Sequence, residues 1–109
     1  MTRYYISISD LDAVPHGPLA FRAQGAEGIA AELEQALRGD VLFRNWSRLQ
    51  DEPDEVDPAL AATDPAATVK GEQNDLRIDL EIATSLPSTV LRHRLGLLAG
   101  DRWRLHDVR

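Results

Sequence analysis

Residues Asp75 to Arg109 restrict the possible folds more tightly than any other stretch. Asp-Leu-Arg-Ile-Asp-Leu-Glu-Ile-Ala-Thr alternates apolar and polar side chains without a break. A period of two marks a strand with one buried face, because successive side chains leave the backbone on opposite sides. Ser85-Leu-Pro-Ser then opens a helical segment, with Ser85 and Ser88 placed as caps, and Gly100 ends it. Arg-Trp-Arg-Leu-His-Asp-Val alternates again. The segment therefore reads strand, helix, strand. Its phase assigns Leu76, Ile78, Leu80, Ile82, Trp103 and Leu105 to the core, with Leu91, Leu95 and Leu98 packed over them.

The remaining elements are placed around that unit. Arg3 to Ser9 reads as a first strand, with Tyr4, Ile6 and Ile8 on its apolar face. Asp10 to Pro18 holds two prolines and Gly17 and reads as a loop, with His16 solvated in a turn. In Leu19 to Gln24 the alternation of Leu19, Phe21 and Ala23 suggests a short edge strand. From Gly25 to Gly39, Ile29, Leu33 and Leu37 recur every four residues, the spacing of one helical face, while Glu32, Glu34 and Gln35 face away. Asp40 is positioned to cap a second helical piece with Leu42, Trp46 and Leu49 on one stripe. Residues 51–67 form an acidic, proline-containing connection, in which Asp57-Pro58 and Asp64-Pro65 each resemble a cap followed by a first-turn proline. Thr68-Val-Lys-Gly reads as a strand, and Glu72-Gln-Asn-Asp as the turn that joins it to the next.

The expected class is α+β. The order βαββαβ corresponds to the ferredoxin-like, split-βαβ plan, an antiparallel sheet with two main helices on one face, here carrying a long acidic loop. One domain spanning 1–109 suits the chain length, which supports a single core.

Charge narrows the partners. Met1 to Leu91 carries sixteen acids and seven bases, whereas Arg92 to Arg109 carries five arginines, two histidines and two aspartates. An acidic body makes nucleic acid an unlikely partner, since phosphate binding needs a positive face. Eleven arginines against the single Lys70, with abundant alanine, reflect the base composition of a GC-rich, bacterial genome. The absence of cysteine excludes disulfides and thiol chemistry. With no apolar run of membrane-spanning length and no signal-peptide pattern, a soluble, cytoplasmic protein is expected.

Catalytic motifs are absent: the chain has no Gly-x-Ser-x-Gly elbow, and its three histidines lie far apart in sequence. The acids at Asp51, Glu52, Asp54, Glu55 and Asp57 offer oxygen ligands for a hard cation, but the spacing is not that of a calcium loop, and a solvated acidic loop is the better reading. His93 and His106 would share a transition metal only if the last helix and strand brought them together. Gly25-x-x-Gly28 before a helix invites a phosphate-cradle reading, but it lacks the full dinucleotide fingerprint and the Gly-Lys-Ser/Thr of a P-loop, and Glu27 would repel a phosphate. No metal or cofactor is expected.

Arg92, His93, Arg94, Arg102, Arg104 and His106 form the candidate interaction surface, because arginine forks bind carboxylates in two-pronged fashion. The function expected is a non-enzymatic protein-interaction module that self-associates, forming a homodimer, with an acidic protein as the other candidate partner. A small-ligand or anion-binding regulatory domain and an acidic DNA-mimic or inhibitor-type protein are the alternatives.

Overall fold

Alternation becomes sheet and four-residue spacing becomes helix in the computed structural model, which describes residues 1–9, 19–23 and 25–109. Four strands and three helices follow in the order β1 (Thr2–Ser9), α1 (Ala26–Arg38), α2 (Val41–Arg48), β2 (Thr68–Asn74), β3 (Arg77–Thr84), α3 (Ser88–Ala99) and β4 (Trp103–Val108). Two short 3-10 turns, Pro53–Glu55 and Pro58–Ala61, lie in the connection after α2. The loop expected at 10–18 and the position of His16 lie outside the described residues.

The strands form one antiparallel sheet in the order β2-β3-β1-β4. Since β1 and β2 are each antiparallel to β3, they run parallel to one another with β3 between them. By the same logic β3 and β4 run parallel with β1 between them. Tyr4, Ile6, Ile8, Ile78, Leu80 and Ile82 line one face and join Ile29, Leu33 and Leu37 of α1 and Val90, Leu91, Leu95 and Leu98 of α3 in a single core. Trp103 and Leu105 pack at its margin, half-buried. The opposite face carries Tyr5, Ser7, Lys70, Glu72, Asp79 and Glu81, the polar half of the same alternation.

The α+β class and the antiparallel sheet stand, but the simple βαββαβ order does not. A third helix makes the order βααββαβ, because Gly39 takes an extended conformation (φ −133°, ψ 177°) that ends α1 before α2 begins. Asp40 does not cap α2 through its side chain; its carboxylate pairs with Arg44 at 3.1 Å, one turn on. Of the expected stripe, Leu42 and Trp46 are half-buried and Leu49 is exposed.

Leu76 is the clearest departure from the expected core, at 84% exposure. β2 runs on through Glu72 to Asn74, where Asn74 pairs with Arg77, so the turn contains only Asp75 and Leu76. Asp75 adopts φ 60°, the left-handed value that a two-residue hairpin requires to match the strand twist. Leu76 keeps the phase of Ile78 but lies beyond the end of the ladder, where nothing covers it.

Other polar side chains expected to face solvent instead hold backbone. The Glu32 carboxylate accepts from the Arg22 and Ala23 amides, and the Phe21 amide donates to the Leu98 carbonyl at 3.0 Å, so 19–23 is a tethered segment, not a strand. Neither Ser85 nor Ser88 caps α3 with its side chain. The amides of Ser85 and Leu86 go to Asp64 and to the Thr84 hydroxyl, at 2.9 and 3.1 Å. Gly100 ends α3 with a positive φ of 63°.

Candidate functional site

The structure divides the six basic residues expected to form one surface among four environments. Arg94 is fully buried, with 0% exposure, and so cannot meet a partner. Its guanidinium donates from Nη1 to the Ala36 carbonyl at 2.7 Å and from Nη2 to the Leu60 and Ala62 carbonyls at 2.9 Å each. Those oxygens belong to the C-terminal turn of α1 and to the 3-10 turn, both short of donors of their own. The residue sits on the core stripe of α3, one turn before Leu98, and its charge is spent on internal carbonyls. Burial lowers its pKa, partly offset by the Asp40 charge.

His93 stands beside it with its ring edge-on to Trp46 of α2, ring centroids 4.4 Å apart. Its Nδ1 is buried without a partner among the described residues. Burial, and secondarily the Arg94 charge, hold its pKa below the ordinary imidazole value. Arg92 lies over the Trp103 ring at 5.9 Å, in cation–π range, on the margin of the core. The remaining three residues, Arg102, Arg104 and His106, are exposed on or next to β4.

β4 pairs with β1 alone and so forms one margin of the sheet. Arg3 and Arg109 exchange both backbone hydrogen bonds at 2.8 Å, and the Ser9 amide donates to the Arg102 carbonyl at 3.1 Å. Alternation from those two anchors directs the backbone groups of Arg104 towards β1 and those of Trp103 and Leu105 away from the sheet. A bulge interrupts the ladder: Tyr5 faces Asp107 and Ile6 faces Leu105, leaving His106 as the extra residue. The bulge turns His106 onto the polar face, where its Nε2 lies 2.7 Å from the Ser7 hydroxyl. Next to it, Arg109 bonds Asp107 at 2.8 Å and covers the Tyr5 ring at 5.4 Å. That bond lowers the Asp107 pKa and raises that of Arg109. Arg102 pairs loosely with Asp101 at 3.6 Å, whereas Arg104 has no carboxylate partner among the described residues.

The other margin of the sheet is covered at its start. Glu34 of α1 accepts the outward Val69 amide at 3.1 Å, and Arg38 donates from Nε to the Ala67 carbonyl at 2.8 Å. Gly71 lies so close to α1 that a Cβ there would stand 2.5 Å from the Ala26 carbonyl oxygen. Glu34 and Arg38 thus cover the outer edge at the start of β2, while α1 packs closely over its core face at Gly71. Gly28 has a related role, since a Cβ would meet that of Ala23 at 2.7 Å, so its absence serves packing and not a phosphate.

Asp64 was legible only as a cap. It is instead a buried staple, accepting from the Thr84 hydroxyl at 2.8 Å, the Ser85 amide at 2.9 Å and the Ala66 amide at 3.0 Å. These bonds, the Ser85 amide foremost, depress its pKa against the opposing effect of burial. Asp57 does cap, accepting from the Ala59 amide at 2.9 Å. The acids at 51, 52, 54, 55 and 57 are exposed, and among the described residues no three metal-binding side chains converge. His93 and His106 lie on different sides of the sheet and share nothing.

The described residues also form open depressions. One, of about 540 Å³, lies on the polar sheet face, where Glu72, Asp79 and Glu81 stand among Lys70, Arg77 and His106. Another, of about 650 Å³, lies between α1, α2 and the 19–22 segment, lined by Ala31, Ala36, Val41, Leu42 and Leu98. A third, of about 570 Å³, lies at the β2–β3 turn beside Ser9, Asn74 and Leu76. No helix among the described residues is long and apolar enough to cross a membrane. Comparisons with protein families, with curated proteins and with solved structures find no match to this chain.

Proposed function

We propose that this chain is a non-enzymatic protein-interaction module that engages its partner along the outer edge of β4. The supporting observation is the contrast between the two margins of the sheet. At the start of β2 the outward Val69 amide and the preceding Ala67 carbonyl are taken by Glu34 and Arg38, whereas the outward backbone groups of Trp103 and Leu105 have no side-chain partner among the described residues. Proteins commonly cover an edge strand, and one left open is a template for another strand. The scattering of Arg92, Arg94 and Arg104 removes the convergent site that an anion-binding domain would need. A DNA mimic is poorly served by acids gathered in one connection. As to fold, we infer an elaborated split-βαβ plan, supported by the two parallel strand pairs that each enclose a third strand.

A photo-crosslinking residue at Val108 of β4, compared with one at Lys70 of β2, tests the proposal in cells. Adducts to a protein, or to a second copy of the chain, are expected from Val108 and not from Lys70. Adducts from Lys70 alone, or from neither position, would overturn it.

A further inference from the structure

The β4 edge also carries information about what it can accept. Residues opposite one another on neighbouring strands share a face, and like charges placed directly opposite repel. In a dimer with two β4 edges paired about a two-fold axis, the outward residues Trp103 and Leu105 must meet outward residues of the other copy. With Trp103 opposite Trp103, Arg104 faces Arg102 of the other copy. With Trp103 opposite Leu105, Arg104 faces Arg104. With Leu105 opposite Leu105, Arg104 faces His106, and the bulge cuts the ladder short. Each of these three registers therefore sets a basic side chain against another. The carboxylates nearest this edge do not relieve the clash: Asp101 is already paired with Arg102, and Asp107 with Arg109.

The same geometry suits a different strand. Arg102 and Arg104 project on the polar face, while Trp103 and Leu105 turn towards the core and remain half-buried. A strand added here would place one residue in two beside the arginines and the others beside Trp103 and Leu105. We propose that the β4 edge binds an extended segment of another protein in which acidic and apolar residues alternate, and that it does not pair with itself. This rests on the β4-edge reading above and specifies its partner. The backbone supplies the pairing, Arg104 selects the acids, and the Trp103–Leu105 margin takes the apolar side chains. Arginine suits the task because its planar fork meets a carboxylate with two parallel bonds.

The probe is a soluble synthetic peptide with blocked ends, carrying three glutamates that alternate with valines. A control carries lysines in place of the glutamates. Amide chemical shifts of the whole protein report the binding site. The glutamate peptide should move the amides of Trp103, Arg104 and Leu105 and leave Val69 unmoved. Arg104→Glu should weaken its binding roughly tenfold, the result of exchanging an attraction for a repulsion. Added salt should weaken it as well. Circular dichroism of Arg104→Glu confirms that the variant is folded, and Arg104→Gln should fall between it and the natural protein. Equal binding of the lysine peptide, no binding of the glutamate peptide, or shifts confined to β2 would overturn the inference. Cross-links from Val108 to another protein alongside any of those results would retire only the acidic-strand inference. An absence of cross-links would retire the β4-edge reading on which it rests. A symmetric dimer cross-linked through Val108 would contradict the inference directly.

Discussion

At the scale of single residues, two buried polar side chains hold the connection between α2 and β2 in place. Asp64 brings a carboxylate to three donors, and Arg94 brings a guanidinium to three carbonyls. Replacing Asp64 by Ala strands those donors and should cost about 3 kcal/mol in urea denaturation, since bonds to a charged group exceed neutral ones. The folded-state pKa of Asp64 is depressed, so its contribution is complete above the unfolded value of about 3.9 and is lost as pH falls through the lower folded value. Asp64→Asn should accordingly flatten the dependence of stability on pH in the acid range. Arg94→Met leaves three carbonyls without donors and should destabilise by about 3 kcal/mol, with Arg94→Lys recovering only part, because an ammonium lacks the planar fork. Neither role was legible in the sequence. Arg94 looks like any helical arginine until α1 and the 3-10 turn end beside it, and both of those contacts are distant along the chain. Leu76 shows the opposite failure, where a correct period was carried one residue past the end of the ladder. Leu76→Ser should leave the denaturation midpoint almost unchanged, whereas Ile78→Ala, in the same phase, should cost about 2–5 kcal/mol.

At the scale of elements, β1, α1, β3 and α3 were readable because each repeats its apolar period over two turns or more. α2 was readable as a helix, but not as a weakly held one. It has no fully buried residue and rests largely on Trp46 against His93. The His93 pKa is held low in the fold, so its stabilising contribution is complete above the ordinary imidazole value of about 6.5 and declines as pH falls below it. Between about pH 7 and pH 5, α2 should loosen before the sheet does. Trp46 fluorescence in a Trp103→Phe background, followed alongside the far-ultraviolet dichroism, measures the separation. In His93→Phe the early fluorescence change should vanish, and its persistence would show that another group controls α2.

At the scale of the whole molecule, the two margins of the sheet differ, because α1 covers the start of β2 and no helix side chain among the described residues covers the outward groups of β4. The sequence marks Glu34 only as a side chain on the outer face of α1, and the structure adds its helical ion pair with Arg38, 3.6 Å apart. Their second duty, towards β2, appears only when the strand is laid beside them. Removing both, in Glu34→Ala with Arg38→Ala, should open the second margin. Light scattering at rising concentration should then show association beyond that of the natural protein, and a third change, Gln73→Pro, at a position whose amide faces outward like that of Val69, should suppress it. The candidate surface was legible in part, since Arg102, Arg104 and His106 share the last strand and its alternation. What separated them from Arg94 was the helical phase, which puts Arg94 in line with Leu91 and Leu98 of the core stripe.

The position of β1 in the sheet bears on how the chain reaches this state. β1 is the strand with a neighbour on each side, and both neighbours come from the last third of the chain: Thr2 meets Thr84, Ser9 meets Arg77, and Ile6 meets Leu105. As the chain leaves the ribosome, β1 and the apolar stripe of α1 emerge first and wait for partners not yet made. The sheet can close only once β3 and β4 have been made, with the entropy of a very long loop to overcome. The early half of the chain is thus the half most dependent on protection while it waits, and the late half decides when folding begins.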